Sequence, residues 1–192
     1  MEAAYDLIWE HSYGAVTIDA ICERAGVKKG SFYYFFDSKS ELAVAAIDAW
    51  WVERKVLIDE MFRPEVPPLE RLRNYLDFIS LRQVKSYEES GQVLGCPLFT
   101  LGTEICTQDE HIRARIHEIL ACLGRYFEGA IIEAQAAGEI EGRNAVAKAR
   151  FLVAYSAGTL TRARIENNVE PLRNLAADAF ELIGAHPAPV AA

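Results

Sequence analysis

Residues 17–42, TIDAICERAGVKKGSFYYFFDSKSEL, decide how the rest of the chain is read. Ile18, Ile21, Cys22 and Ala25 recur at i, i+3, i+4 and i+7, which places them on one face of a short helix. Gly26 breaks that pattern, and glycine is the residue that reaches the left-handed backbone of a tight turn without steric cost. Residues 28–34 then read as a second short helix that opens on two lysines. Two short helices joined by a turn of about three residues are what a helix-turn-helix requires, the second presenting its N-terminal residues to the major groove of DNA.

Working outward, Ser38 and Glu41 stand three apart ahead of an apolar run. This is the capping-box spacing, so a long helix is predicted from there to about Met61. It is expected to link two parts of the chain, turning Leu42, Ala46 and Ala49 toward the first and Trp50, Trp51 and Leu57 toward the second. Pro64, Pro67 and Pro68 interrupt the periodicity, and Leu72, Leu76 and Ile79 resume it on the next helix. Pro97 suits the first turn of a shorter helix, because proline lacks an amide where none is needed. Asp109 or Thr107 can cap a long helix that carries Ile112, Ile116, Leu120, Leu123, Phe127 and Ile131 and stops at Gly138. Asn144 caps another helix to about Glu166, and Pro171 is expected to open a last one ending at Gly184. No segment alternates with period 2, so the chain is predicted to be all-α with about nine helices in total. The predicted domains are a three-helix helix-turn-helix unit over residues 1–48 and a larger helical domain over 49–186. A Pro/Ala tail at 187–192 is predicted to be disordered.

Composition narrows the function classes. With 192 residues, 51% of them hydrophobic, the chain can bury a core without disulfides or metal. No stretch approaches the roughly 18 apolar residues of a membrane span, and Glu2, Asp6 and Glu10 occupy the place of a secretory signal's basic start, so a cytoplasmic protein is expected. Cys22, Cys96, Cys106 and Cys122 match no CxxC or zinc spacing, and neither metal nor cofactor is expected. The net charge of −8 argues against nonspecific coating of nucleic acid while leaving room for a small DNA-reading surface. Nucleotide-binding, zinc-protease and hydrolase-elbow motifs are missing; the nearest approach, residues 154–158, lies within a helix and lacks the first glycine. His111 and His117 stand six apart, on different faces of a helix. No enzyme is expected.

The ordered set Gly14, Thr17, Ile18, Ile21, Ala25-Gly26-Val27, Gly30, Phe32-Tyr33, Phe36, Lys39 and Leu42 resembles the DNA-binding domain of the TetR (tetracycline-repressor-like) family of bacterial transcriptional regulators. The resemblance is dense over residues 14–42 and architectural beyond them. Thr17 can cap its helix and turn its hydroxyl and amides toward a phosphate. Gly30 lets the backbone approach DNA, Lys28 and Lys29 can reach phosphates or guanine edges, and Ser31 and Tyr34 lie within a turn of Gly30 as base-edge readers. The resemblance implies that Tyr33 and Lys39 contact the phosphate backbone. Ile18, Ile21, Val27, Phe32, Phe36 and Leu42 are expected to form the small core. Family members usually carry a few basic residues ahead of the first helix, whereas this chain has none there. Residues 1–50 hold eight acids against four bases, net −4, so the expected affinity is modest and strongly salt-dependent.

The resemblance further implies a homodimer on a palindromic double-stranded DNA operator, with the last two helices, around Ser156–Gly158 and Leu172–Leu182, paired with their copies. It also implies a small-molecule effector that releases the protein from DNA, as in a repressor. Trp50, Tyr75, Phe78, Cys96, Phe99, Tyr126 and Tyr155 are the candidate pocket residues, as aromatics with a few polar groups are what such pockets need. Cys96 stands at a helix start whose dipole would favour a thiolate, as a sensor thiol needs, but it reads more readily as a buried inert cysteine, and the other three fall on apolar stripes and read as core. The alternative class is a helical interaction or sensor module without DNA binding.

Overall fold

A computed structural model of the chain describes residues 1–186, so the predicted disordered tail at 187–192 lies outside the described residues. The described residues form nine α-helices and one 3-10 turn, with a single isolated bridge between Ile140 and Ala185. The all-α expectation therefore holds.

The helices are α1 (Glu2–Glu10), α2 (Ile18–Arg24), α3 (Lys29–Phe35), α4 (Lys39–Met61), α5 (Pro68–Ser90), α6 (Pro97–Ile105), α7 (Glu110–Ala136), α8 (Ala145–Glu166) and α9 (Leu175–Ile183). Their starts follow the capping signals. The Thr17 hydroxyl accepts from the Ala20 amide at 3.1 Å, and Asn144 Oδ1 accepts from Ala147 at 3.0 Å. Asp109 rather than Thr107 caps α7, taking the Ile112 amide at 3.0 Å. At α4 the Ser38 hydroxyl accepts from the Glu41 amide at 3.1 Å, while the Glu41 carboxylate reaches back one residue further than the ideal box, to the Asp37 amide at 2.8 Å. The end of the chain differs from the prediction. Pro171 opens only a 3-10 turn, Glu170–Leu172, and α9 begins at Leu175.

The chain packs as two compact units. The first joins Met1–Val56 to Cys96–Ile119; the second joins Leu57–Gly95 to the chain from Leu120 on. The structure thus departs from a contiguous split after residue 48, because α6 and the start of α7 belong with the helix-turn-helix. Within the first unit, α6 packs on α1, and the Arg115 guanidinium bonds the Asp48 carboxylate. Two helices, α4 and α7, run through the division, where the sequence reading had only one such element. Trp50 and Trp51 also fall in the first unit, with Trp50 stacked on Tyr5 of α1 at 5.8 Å between ring centroids.

In the second unit Leu72, Leu76, Phe127, Ile131, Leu152 and Ile183 are 0–1% exposed and form the centre of the core. Buried polar groups there close loops. Arg71 donates to the carbonyls of Val66 and Pro64, at 2.6 and 3.0 Å, and pairs with Glu133 at 2.8 Å. The buried Gln83 amide bonds both the N–H and the C=O of Gly95, at 2.7 and 3.2 Å. A buried polar group is tolerated when its partners are met in this way.

Candidate nucleic-acid interface

Gly26 takes φ +66°, so the turn between α2 and α3 uses the left-handed conformation that the sequence assigned to it. Only Phe32 of the seven α3 residues is buried, and it anchors the helix against the rest of its unit. Ile21 and Leu42 are buried beside it and Ile18 and Phe36 are half-buried, but Val27 is 48% exposed. Val27 is therefore not core. It follows the Gly26 turn and comes before the first residue of α3, outside the packed face of either helix.

The remaining α3 positions face outward. Tyr33 is 55%, Tyr34 81% and Phe35 69% exposed, and Ser31, Lys28 and Lys29 are exposed with them. A Cβ added at Gly30 would meet only open space, which fits a position where another molecule comes close. Tyr34 and Phe35 meet edge to face at 4.8 Å between centroids, so each ring restrains its neighbour.

The three candidate phosphate-binding lysines differ in their surroundings. Lys28 has no ion pair among the described residues. Lys29 is paired with Asp19 at 2.9 Å, and that hydrogen bond holds its pKa above the ordinary lysine value. Lys39 bonds the Tyr13 carbonyl and lies 4.2 Å from the centre of the Tyr13 ring. Burial lowers the Lys39 pKa, and the Glu104 carboxylate opposes the shift without cancelling it.

Glu104, on α6, is a residue the sequence reading missed. Its two carboxylate oxygens accept from the amides of Tyr13 and Gly14, at 2.9 and 2.6 Å, and so fix the loop that leads into α2. A Cβ at Gly14 would stand 3.0 Å from Glu104 Oε1, so a larger residue there would push the carboxylate back by a few tenths of an ångström. Ninety residues separate the partners, and no local pattern could announce the contact.

The candidate pocket residues do not form one cluster. Tyr75 and Tyr126 join Phe62 and Phe127 in a ring cluster of the second unit, with Tyr75 and Phe127 5.1 Å apart and Phe62 and Tyr126 5.3 Å apart. The Tyr126 hydroxyl donates to Asp59. Phe78 lies under the Arg82 guanidinium at 5.9 Å, and the Tyr155 hydroxyl bonds Asp178 at 3.3 Å. Trp50 instead belongs to the first unit, where it lines a cleft with Tyr5, Trp9, Leu98 and Leu101. Phe99 and Cys96 are in that unit too. Of the two readings of Cys96 the inert one is favoured: burial pushes its thiol up, and the amides of Phe99 and Leu98 only partly offset this. All four cysteines are free thiols; Cys22 is buried, whereas Cys106 and Cys122 are only half-buried.

Two short helices set about a glycine turn, the second displaying its own outer face, define a helix-turn-helix DNA-binding protein. Comparison with known proteins makes this specific. The family model for bacterial regulatory proteins of the tetR family matches residues 1–46, and the tetracyclin repressor-like C-terminal domain matches residues 68–179. The chain belongs to the TetR family and is a DNA-binding transcriptional regulator. It is 29% identical to the transcriptional regulator AcuR of Cereibacter sphaeroides over 91% of this chain and 78% of that protein. Its identity to the HTH-type transcriptional repressor DhaR of a Mycobacterium species is 28%, over 95% of this chain and 89% of the relative. Among solved structures, the regulatory protein TetR from Rhodobacter sphaeroides superimposes with a TM-score of 0.81 at 28% identity, covering 93% of this chain and 94% of that one.

Proposed function

We propose that the protein is a cytoplasmic, homodimeric repressor that binds a palindromic operator through α3 and leaves it when a small-molecule effector binds. The observation that carries this reading is the outward display of α3, with six of its seven residues exposed beside a single buried anchor. In this reading Thr17, Lys28, Lys29, Tyr33 and Lys39 hold the phosphates, and Gly30, Ser31 and Tyr34 face base edges. Lys29 exchanges Asp19 for a phosphate on binding, and Lys39 turns from the Tyr13 carbonyl to do the same. Val146 and Phe151 of α8 and Leu182 of α9, 41–51% exposed, supply apolar surface for pairing with a second copy. The family and the repressor DhaR support repression.

The effector binds the helical domain, with Tyr75 and Tyr126 as its aromatic contacts. Because α4 and α7 are continuous through both units, an effector that binds better when either helix is displaced shifts the population away from the DNA-competent form. Trp50, Phe99 and Cys96, which pack within the first unit, are left out of this role.

Duplexes from the promoter region beside the gene, titrated with protein at two salt concentrations, test the DNA reading. Saturable retardation of one segment is expected, whereas equal weak binding to every segment would overturn it. Calorimetric titration of a candidate effector into free protein and into the DNA complex tests release. The two affinities must differ by the factor with which effector weakens DNA binding, typically about 5- to 150-fold.

A further inference from the structure

The segment 27–36, VKKGSFYYFF, contains no arginine, asparagine, glutamine or acidic residue. Those, together with lysine, are the side chains that make paired hydrogen bonds to guanine, adenine or cytosine edges in the major groove. Hydrogen-bonded base reading is therefore left to Lys28, Lys29 and Ser31, and the rest of the exposed surface of the segment is largely apolar. Val27, Tyr34 and Phe35 are 48%, 81% and 69% exposed, and the two rings hold each other edge to face at 4.8 Å. The spacing of the two rings concentrates them. Gly30 and Tyr34, and Ser31 and Phe35, stand four apart within α3, so these four share one side of the helix. Gly30 leaves open space at the middle of that side.

Electrostatics point the same way. The first 50 residues carry net −4, Lys29 is taken up by Asp19, and Lys39 is taken up by Tyr13. Phosphate attraction is therefore weak, and contact with bases has to contribute more of the affinity. Only one base offers an apolar group in the major groove, thymine, through its C5 methyl.

We infer that Tyr34 and Phe35 read thymine methyl groups, and that each operator half-site carries thymines at the positions these side chains meet. The inference rests on α3 being the helix that enters the groove. It adds the base class and one specificity-determining residue, Phe35, to Tyr34.

The test uses the full-length protein and a random-sequence pool of DNA duplexes. The duplex it enriches is resynthesised with deoxyuridine in place of thymidine, one position at a time, which removes a methyl and leaves every hydrogen-bonding group. The expected result is weaker binding by about fourfold for each methyl that loses its contact, the value of one buried CH2. In Tyr34→Ala or Phe35→Ala the thymine-to-uracil ratio at the matching position should fall to one, and in Tyr33→Ala it should persist. Both substitutions sit on exposed rings, and the uracil series on the unaltered protein does not depend on any variant folding. Equal affinity for the thymine and uracil duplexes overturns the inference while leaving the DNA-binding reading intact. A uracil effect that survives both alanine variants overturns the assignment to these rings. Failure to enrich any sequence overturns the DNA-binding reading and the inference with it.

Discussion

The two units hold their working surfaces by different means. The second is built inward: Phe127, Leu72, Leu76, Ile131, Leu152 and Ile183 have almost no exposure, and Arg71 and Gln83 close the loops around them. The DNA-facing part of the first is built outward. Helix α3 contributes one buried ring, and the loop before α2 is set by a carboxylate from α6 and a lysine from the start of α4. Packing positions the core of the second unit, whereas a few polar tethers position the DNA-facing edge of the first. A surface held by tethers can be moved by breaking two or three bonds, which suits an element that must be occupied in one state and released in another.

The largest effect should separate packing from display. Phe127→Ala removes a fully buried ring in contact with Phe62 and Tyr75, and should cost about 3–5 kcal/mol by urea denaturation. Tyr34→Ala and Phe35→Ala remove rings of similar size from exposed positions and should change stability by no more than about 0.5 kcal/mol. If the α3 variants were destabilised as much as Phe127→Ala, α3 would be part of a core and the contrast would fail.

Next in size is the tether. Glu104→Ala leaves the amides of Tyr13 and Gly14 without their carboxylate, a loss of about 1.5–3 kcal/mol for charge-assisted bonds and nearer the lower figure because the Gly14 contact is exposed. DNA affinity should fall across all operator variants alike, since the loop positions the helices and reads no base. Anisotropy titrations against several operator variants check this. An unchanged affinity would mean that α2 and α3 keep their place without the tether.

How far the sequence could be read follows the same division. Residues 17–42 were legible because every signal in them is local: a cap at Thr17, a left-handed turn at Gly26, and a capping box at Ser38 and Glu41. Val27 was misread as core because an aliphatic residue beside a turn has no periodicity to place it. Glu104 was invisible because its partners lie ninety residues away. The effector residues were collected by residue type alone, and residue type does not report neighbours. Hence Tyr75 and Tyr126 share a cluster, while Trp50, from the same set, stacks on Tyr5. The place of Cys96 at a helix start spoke for a thiolate, but burial outweighs the amides around it.

A smaller effect sharpens the account of the lysines. Asp19 neutralises Lys29 in the free protein and must be given up before Lys29 meets a phosphate, so Asp19→Asn should strengthen DNA binding, whereas Lys29→Ala should reduce its salt dependence by about one in log–log slope, the value of one phosphate contact. Lys28→Ala should reduce the slope by about one. A slope that stays unchanged in Lys29→Ala would mean that Lys29 makes no phosphate contact at all.

The smallest effect concerns the start of α7, which lies in the first unit while the helix continues into the second. Burial raises the Asp109 pKa, but the Ile112 amide, the Ser40 hydroxyl and the His111 amide together outweigh it, and the net shift is downward. A carboxylate with a depressed folded-state pKa contributes stability that is present above its ordinary value and lost as pH falls through the folded one. Because Asp109 is half-buried at the edge of its unit and its charge is partly screened by solvent, the cap should be worth only about 0.5–1 kcal/mol at neutral pH. Asp109→Ala should lose that amount at neutral pH and little more on acidification. Asp109→Asn retains an oxygen for the Ile112 amide without a titrating group, so its deficit against the parent protein should be small at neutral pH and shrink further below the carboxylate range. Urea midpoints for the three proteins at neutral pH and at about pH 3 provide the comparison. If the difference between parent and Asp109→Asn did not change between the two pH values, the cap would owe nothing to its charge, and the tethers of the first unit would be hydrogen bonds alone.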